Sequence, residues 1–291
     1  MTYRAKILCC IVLACFLVTT SSVCRSQGRA ALAPNVAPPA ANQTDVEAAV
    51  SLLCKPTDII RSQNGNASGC KSCPQGTDFF GQNMGEWELR NTIAGHFTSA
   101  EDNELIVSGF NCDSHANNFG GSFIFSLKTG KPRLLRYDSG LITDTCHKFR
   151  YADGREFLAC RGGWSGQGEN DASVFLTRFD ATAKNGDDMT FRTFDATATC
   201  GDDSAVKVPS SGIKNIEFSS KDSGELTGMT ITATFGQVTC GEVNAKRAPG
   251  KEMPSVKTYE LHYTFNGRQF VITPESEAAL KVFPQRITAE L

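Results

Sequence analysis

The sequence FTSAEDNELIV at residues 97–107 aligns without gaps on FRYADGREFLA at residues 149–159, at an offset of 52 residues. A fainter third copy, FSSKDSGEL, occupies residues 218–226. Each copy has the pattern of a strand, an acidic turn and a second strand. A period of about 50 residues built from short strands is typical of propeller blades or stacked β-sheets. We therefore predict a mainly β fold of antiparallel short-strand repeats, either propeller-like or arranged as stacked sheets.

Short apolar runs separated by Gly, Asn and Asp surround the repeat and extend from Trp87 towards the C-terminus. Near the end of the chain two β-rich runs flank Asn266-Gly267, and an Asn-Gly pair in that position is a strong signal for a β-hairpin. Residues 62–76 (SQNGNASGCKSCPQG) are rich in turn formers, so we expect an irregular loop there, held by its cysteines.

Two short helices are predicted to flank the strands. Thr44 and Glu47 match a capping box in front of an apolar face, and Pro56 ends that helix. Near the C-terminus, Thr273 is predicted to cap a helix over residues 274–283, with a proline in its first turn.

The composition excludes several classes of protein. Of the 291 residues, 40% are hydrophobic and 21% charged, so the chain can bury a sizeable core and is neither wholly disordered nor a coiled coil. Its net charge of -2 offers no basic excess for a nucleic-acid backbone, and we predict no nucleic-acid partner. Twelve cysteines are too many for an ordinary cytosolic protein and indicate export.

The N-terminus has the organisation of a secretory leader. Arg4 and Lys6 provide a short positive region, and an uncharged, mostly apolar run covers residues 7–20. Since a membrane-spanning helix needs about 18 or more such residues, we predict a signal peptide over residues 1–26 rather than a permanent anchor. The mature protein would then be secreted or extracytoplasmic.

A second interpretation of the same segment involves lipid attachment. Residues 12–15 (VLAC) resemble a bacterial lipoprotein box, and a lipidated Cys15 would tether the protein to a membrane surface through acyl chains. Leu13 stands where a smaller residue is usual, so secretion is the preferred interpretation and a lipid anchor is the alternative.

Composition divides the rest of the chain into a linker and one domain. Residues 27–43 (QGRAALAPNVAPPAANQ) are rich in Ala and Pro and show no period, which is typical of a linker. Residues 44–291 are then predicted to form a single β-rich domain stapled by disulfides.

Eight cysteines remain after the predicted leader, an even number that predicts up to four disulfides in an oxidising compartment. They are Cys54, Cys70, Cys73, Cys112, Cys146, Cys160, Cys200 and Cys240. The spacing leaves open a redox pair at Cys70 and Cys73, or a zinc site that also recruits Cys54 and His96. The turn-forming flanks of Cys70 and Cys73 favour structural disulfides instead.

One disulfide follows from strand register. A three-residue turn at residues 152–154, with its glycine left-handed in a bulge, places Cys146 opposite Cys160. The same register matches Arg150 with Glu156, which is favourable because the charges are opposite. A two-residue turn would put the two cysteines on opposite faces of the sheet, so we prefer the longer turn and predict a Cys146–Cys160 disulfide.

Residues 95–107 contain the motif G-H-F-x5-N-E-L-I-V, which resembles the G-D-F-x-G-D-G-x-D-D-L-v-v core of FG-GAP/VCBS-type repeats. The resemblance covers residues 92–180 and implies a β-propeller of the kind found in exported adhesion and binding proteins. In place of the alternating aspartates of that family's calcium loop, residues 98–102 are TSAED, so we expect no calcium-dependent stability.

Two polar, glycine-containing segments occupy equivalent positions in the first two repeats, at residues 111–121 and 162–172. As loops on a rigid β scaffold, they are expected to share one face and to bind an extracellular carbohydrate or protein. The candidate contact residues are His115, Asn117, Asn118 and Trp164. An exposed tryptophan flanked by glycines suits stacking on a sugar or a peptide, and a tryptophan that only caps the core is the structural alternative.

Signatures of catalysis are weak. Glu104, Glu156 and Glu225 recur at one repeat position, which favours a solvated row or ion pairs over an acid–base set. Residues 163–167 (GWSGQ) lack the spacing of a nucleophile elbow, and the four histidines lack metal-ligand spacing. We predict a non-enzymatic binding or structural module with no cofactor or metal. The alternative is an extracellular hydrolase acting on polysaccharide or peptide.

Overall fold

A computed structural model describes residues 41–74, 85–112, 120–179, 188–246 and 253–281. The predicted signal peptide, the predicted lipid-attachment cysteine and most of the predicted linker lie outside these ranges. Within them, fourteen strands form three antiparallel sheets, accompanied by three short α-helices. The prediction of a mainly β, antiparallel fold with a short helix near each end is confirmed.

The strands follow one another in chain order. Those of the first sheet are β1 (Ile59–Arg61), β2 (Ala67–Cys70), β3 (Trp87–Gly95), β4 (Glu104–Phe110), β5 (Ser122–Ser126) and β6 (Arg133–Asp138). Those of the second sheet are β7 (Cys146–Arg150), β8 (Glu156–Gly166), β9 (Glu169–Thr177) and β10 (Asp188–Asp195). Those of the third sheet are β11 (Lys207–Ser220), β12 (Leu226–Thr239), β13 (Lys257–Phe265) and β14 (Phe270–Ile272). The helices are α1 (Gln43–Leu53), α2 (Cys240–Lys246) and α3 (Pro274–Leu280).

Each sheet is a meander in which every strand pairs with its neighbours in sequence. The repeat found in the sequence falls on equivalent strand pairs, β3–β4, β7–β8 and β11–β12. Glu104 and Glu156 each begin the second strand of their pair, and Glu225 immediately precedes β12. Each sheet has two edge strands, so none closes into a ring within the described ranges.

The second sheet is buried on both faces, between the first and the third. On β8, Leu158 and Cys160 join a core cluster that includes Ile106 of the first sheet. The alternate residues Phe157 and Ala159 join another cluster, made mostly with side chains of the third sheet. Since successive side chains of a strand point to opposite faces, this alternation places a sheet on either side of β8. It also explains the continuous apolar run at residues 157–160 of this strand.

Helix α1 covers the outer face of the first sheet. Its buried stripe packs with Trp87, Leu105 and Phe123 in one apolar cluster. The residues of the stripe are Val46, Ala49, Val50 and Leu53. Their spacing of three or four residues lines one side of a helix, so the apolar pattern correctly locates its buried face.

The predicted cap of α1 is wrong. Asn42 caps the helix, and its side-chain oxygen accepts a hydrogen bond from the backbone amide of Thr44 at 3.0 Å. Glu47 does not turn back to the helix end: it accepts a hydrogen bond from the backbone amide of Ala67 and pairs with Arg61 at 3.2 Å. Asparagine caps helices at least as well as threonine, and the carboxylate of Glu47 anchors the β1–β2 hairpin instead.

The prediction of an irregular loop over residues 62–76 is wrong in part, because residues 67–70 form β2. Gly69 and Cys70 pair with Glu88 and Trp87 of β3. The hydrogen bonds offered by a neighbouring strand outweigh the turn-forming composition of this segment.

The predicted hairpin at Asn266-Gly267 is confirmed between β13 and β14. The side-chain oxygen of Asn266 accepts hydrogen bonds from the backbone amides of Arg268 and Gln269, at 3.0 and 2.9 Å, and Gly267 has a φ of 91°. An asparagine that binds the following backbone and a left-handed glycine together account for the turn. The C-terminal helix begins at Pro274, as predicted.

The β7–β8 hairpin has the register that the sequence favours. Its cross-strand pairs include Cys146–Cys160, Phe149–Phe157 and Arg150–Glu156. The backbone amide of Tyr151 donates to the carbonyl of Arg155 at 2.8 Å, and Gly154, inside the three-residue turn, has a φ of 88°. Cys146 and Cys160 are joined by a disulfide, with their Cα atoms 4.0 Å apart.

Three further disulfides occur in the described residues. They are Cys54–Cys70, Cys73–Cys112 and Cys200–Cys240, with Cα separations of 5.5, 5.5 and 5.2 Å. Because Cys70 and Cys73 are bonded to different partners, they form neither a redox dithiol pair nor thiolate ligands for zinc. Disulfides of this number indicate an extracellular or otherwise oxidising environment.

Candidate functional site

Trp164 lies near the end of β8, where the strand passes from the buried layers towards solvent. Its side chain is 36% exposed, whereas Trp87 is fully buried. A Cβ atom on Gly166 would come within 2.5 Å of the indole, so the ring lies across this glycine. The glycine lets a large flat ring lie against the backbone while part of its surface stays open.

Polar side chains border the same face of the sheet. Trp164 opposes Asp171 of β9, and its backbone amide donates to the Asp171 carboxylate at 3.0 Å. The other oxygen of that carboxylate accepts a hydrogen bond from Arg192 of β10. Asp171 is nearly buried and Arg192 is one-third exposed, so the ion pair forms a fixed polar edge beside the ring. Sequence reasoning missed both residues because their proximity depends on the β9–β10 register.

The expected pair of ligand loops is only partly described. Residues 162–166 lie in β8, and the β8–β9 connection consists of Gln167 and Gly168, so the prediction that Trp164 lies in a loop is wrong. Both residues of this tight turn have positive φ, 52° and 81°, which is the backbone of a two-residue hairpin. His115, Asn117 and Asn118 lie outside the described residues.

A cavity of about 490 Å³ lies between the first and second sheets, at the end where the β3–β4 and β7–β8 turns are found. Glu104 and Glu156 both line it, together with Lys148, Arg150 and His96. Both glutamates are almost completely buried, so the expectation of a solvated row is wrong for them. Glu156 forms an ion pair with Lys148, which agrees with the alternative expectation of ion pairs.

Glu104 holds the β3–β4 loop. One carboxylate oxygen accepts hydrogen bonds from the backbone amides of Phe97 and Thr98, at 2.6 and 2.7 Å. The other accepts a hydrogen bond from the Thr98 hydroxyl. A carboxylate bound by backbone N–H groups and a hydroxyl satisfies donors that the loop cannot pair with a strand.

Glu156 connects the first two sheets. Its carboxylate accepts hydrogen bonds from the backbone amide of His96 at 2.8 Å and from the ammonium group of Lys148 at 3.1 Å. Arg150 lies 3.7 Å from its second oxygen. A Cβ atom on Gly95 would come within 2.5 Å of the same carboxylate, so a larger residue at this position would displace the Glu156 side chain.

The two glutamates are close enough to act on one bond. The backbone amides that bind them belong to adjacent residues, so the carboxylates lie within about 10 Å of each other. General acid–base chemistry also needs a carboxylate oxygen that faces the substrate. Here the protein's own donors face the oxygens of Glu104 and Glu156, and the arrangement is suited to holding loops together.

Within the described ranges, no group of three or more His, Cys, Asp or Glu side chains converges to hold a metal ion. In the same part of the chain, no helix has the length and apolar character needed to cross a membrane. Comparison with protein-family models, with curated proteins and with solved structures finds no match for this chain.

Proposed function

We propose that the chain is an exported, non-enzymatic binding module that contacts an extracellular ligand through Trp164. The observation that carries the proposal is a tryptophan held across a glycine, 36% exposed, at the end of a rigid hairpin. Large exposed aromatic side chains on a rigid scaffold are typical of binding sites, because they bury apolar area at little cost in conformational entropy.

The ligand class favoured by this surface is carbohydrate. A sugar ring has an apolar face that stacks on an indole and hydroxyls that need donors and acceptors at its edge. Arg192, one-third exposed and held beside Trp164 by the nearly buried Asp171, offers donors to such hydroxyls. An extended peptide is the alternative ligand class, and a screen of glycans and peptides distinguishes the two.

Export and architecture form part of the same proposal. The signal peptide at residues 1–26 would deliver the chain to the oxidising compartment that its disulfides require, with lipidation of Cys15 as the alternative route to a membrane surface. The three successive meanders support a propeller-like or stacked-sheet module. A propeller is the architecture that the FG-GAP/VCBS-type resemblance of the first repeat implies.

The experiment screens the oxidised protein against arrays of neutral and acidic glycans and of peptides, followed by calorimetric titration of any ligand found. Trp164→Ala is expected to weaken binding about tenfold or more, as for a central aromatic contact. Leu134→Ala is the matched control, because Leu134 is 39% exposed and lies on the edge strand β6. Equal affinities for the two variants, or binding to peptides alone, would overturn the carbohydrate site.

An extracellular hydrolase is the second candidate, because Glu104 and Glu156 share one cavity. Its test is the release of reducing sugars or peptide fragments by the wild-type protein and by Glu104→Gln, at a temperature where both are folded. Hydrolysis lost in Glu104→Gln but kept in Glu225→Gln would support the enzyme. Absence of hydrolysis by the wild type over the same substrates would support the binding module.

A further inference from the structure

Two exposed turns of the described structure carry the same pair of residues. Asn64-Gly65 lies in the β1–β2 turn and Asn266-Gly267 in the β13–β14 turn. A third Asn-Gly pair, at residues 185–186, lies outside the described residues. In both described turns the asparagine is exposed and the glycine is left-handed, with a φ of 85° at Gly65 and 91° at Gly267. The two turns are therefore matched in sequence, exposure and glycine conformation, but they differ in their hydrogen bonds.

An Asn-Gly pair can undergo an intramolecular reaction. The glycine nitrogen loses its proton to hydroxide and attacks the side-chain carbonyl carbon of the asparagine. A C–N bond forms, and the side-chain nitrogen takes up a proton and leaves as ammonia. Water then opens the five-membered succinimide to aspartate or to isoaspartate, in which the main chain runs through the side-chain carbons. Because the reacting groups belong to adjacent residues, only water is needed as a partner, and a glycine offers no Cβ atom to obstruct the ring closure.

The attacking nitrogen is bound in one turn and free in the other. The backbone amide of Gly65 donates to the carbonyl of Ser62 at 2.9 Å. Within the described part of the chain, the amide of Gly267 donates to no acceptor, and the hairpin bond beside it runs from the amide of Asn266 to the carbonyl of Gln269 at 3.2 Å. A bound amide must break its hydrogen bond before hydroxide can remove its proton, so the Gly267 nitrogen is the more available nucleophile.

The carbonyl group that is attacked is also better prepared at Asn266. Its side-chain oxygen accepts hydrogen bonds from the backbone amides of Arg268 and Gln269, at 3.0 and 2.9 Å. The side-chain oxygen of Asn64 accepts a hydrogen bond from one hydroxyl, that of Ser62. Negative charge develops on this oxygen during the attack, and two fixed N–H donors stabilise it in the manner of an oxyanion hole. The same two bonds hold the side chain against the turn that contains the attacking nitrogen.

We propose that Asn266 is a site of spontaneous deamidation in the folded protein, and that Asn64 reacts more slowly. Aspartate keeps the oxygen that the two amides bind, so this product preserves the turn. Isoaspartate lengthens the main chain by one carbon atom between β13 and β14. Phe270 of β14 is buried beside Tyr263 and Phe265 of β13, with ring centroids 6.4 and 5.6 Å apart, so a longer turn shifts an aromatic side chain of the core. The isoaspartate product therefore loosens the C-terminal hairpin.

The experiment is incubation of the folded, oxidised protein at mildly alkaline pH in water enriched in the heavy isotope of oxygen, followed by digestion and peptide mass spectrometry. The water that opens the succinimide leaves heavy oxygen in the product, which distinguishes conversion during incubation from conversion during purification. Label is expected to appear at Asn266 about tenfold or more faster than at Asn64. Equal rates at the two sites, or faster labelling of Asn64, would overturn the proposal.

Unfolding tests whether the hydrogen bonds of the fold cause the difference. In reduced protein held in concentrated urea both turns lose these bonds, so the two rates should agree within about twofold. If Asn266 is still labelled about tenfold faster after unfolding, local sequence is the cause and the structural argument fails.

Asn266→Asp is the matched control for the aspartate product. This variant, freshly purified, should keep the urea midpoint of the wild type, because aspartate can accept the same two backbone hydrogen bonds. Incubated wild-type protein should lose stability in proportion to its content of isoaspartate at residue 266. An unchanged midpoint in protein rich in isoaspartate would overturn the loosening of the hairpin.

Discussion

Each of the three repeated glutamates can be replaced by glutamine in turn. We expect the free energy of unfolding to fall more where the carboxylate is buried than where it forms a surface ion pair. Glu156→Gln removes the charge that faces Lys148, whose side chain is only 13% exposed. Glu104→Gln removes the charge of a carboxylate that accepts hydrogen bonds from two backbone amides, and the NH2 group of glutamine cannot accept in its place. Glu225→Gln disturbs a pair whose side chains are 34% and 63% exposed, so it is the internal control from the same repeat position.

The magnitudes follow from burial. Removing one partner of a buried ion pair costs about 3–5 kcal/mol, because the other charge is left without compensation. Lys148 keeps a hydrogen bond to the carbonyl of Ala94 at 2.8 Å, so we expect a loss near the lower end, about 3 kcal/mol, for Glu156→Gln. An exposed pair is worth about 0–1 kcal/mol, and Glu225→Gln should cost about 0.5 kcal/mol.

The assay is urea denaturation at neutral pH, followed by the fluorescence of the buried Trp87 in a Trp164→Phe background. With a slope of about 1–3 kcal/mol per molar urea, a loss of 3 kcal/mol lowers the midpoint by about 1–3 M. Adding Lys148→Met to Glu156→Gln should recover part of the loss, because neither charge of the buried pair then remains. Equal midpoints for Glu156→Gln and Glu225→Gln would refute the reasoning.

Three other predictions concern the disulfide, a buried histidine and calcium. The double variant Cys146→Ser, Cys160→Ser removes a disulfide whose cysteines are 14 residues apart, and it should lower the free energy of unfolding by about 3 kcal/mol. Urea denaturation without reductant measures this loss, and an unchanged midpoint would contradict the prediction. Burial lowers the pKa of His147, which packs on Phe218, below its ordinary value of 6.5. The unfolded chain therefore binds a proton that the folded protein does not, so stability should fall as pH decreases from about 7 to about 5, and His147→Gln should flatten that dependence. Millimolar calcium should leave the melting temperature unchanged, and a rise of several degrees would show that the folded protein binds it.

Local sequence was sufficient to predict the register of the β7–β8 hairpin and the disulfide within it. The turn between Cys146 and Cys160 is short, and turn length together with the opposite charges of Arg150 and Glu156 leaves one favourable register. The same reasoning does not transfer to the first repeat, where Ala94 pairs with Leu105, because the β3–β4 connection is longer there. The connection includes a loop that the buried carboxylate of Glu104 holds through backbone hydrogen bonds. No local sequence pattern reveals that these bonds form.

The sequence by itself determined the class of fold, the repeat of strand pairs, the C-terminal hairpin and the presence of cysteines in an even number after the predicted leader. Only the tertiary structure decided which distant cysteines pair, as in Cys54–Cys70, Cys73–Cys112 and Cys200–Cys240. It also decided that Glu156 is buried against the first sheet, where it binds the backbone amide of His96. The physical reason is that periodicity and turn chemistry act over a few residues along the chain, whereas these contacts depend on how whole sheets pack on one another.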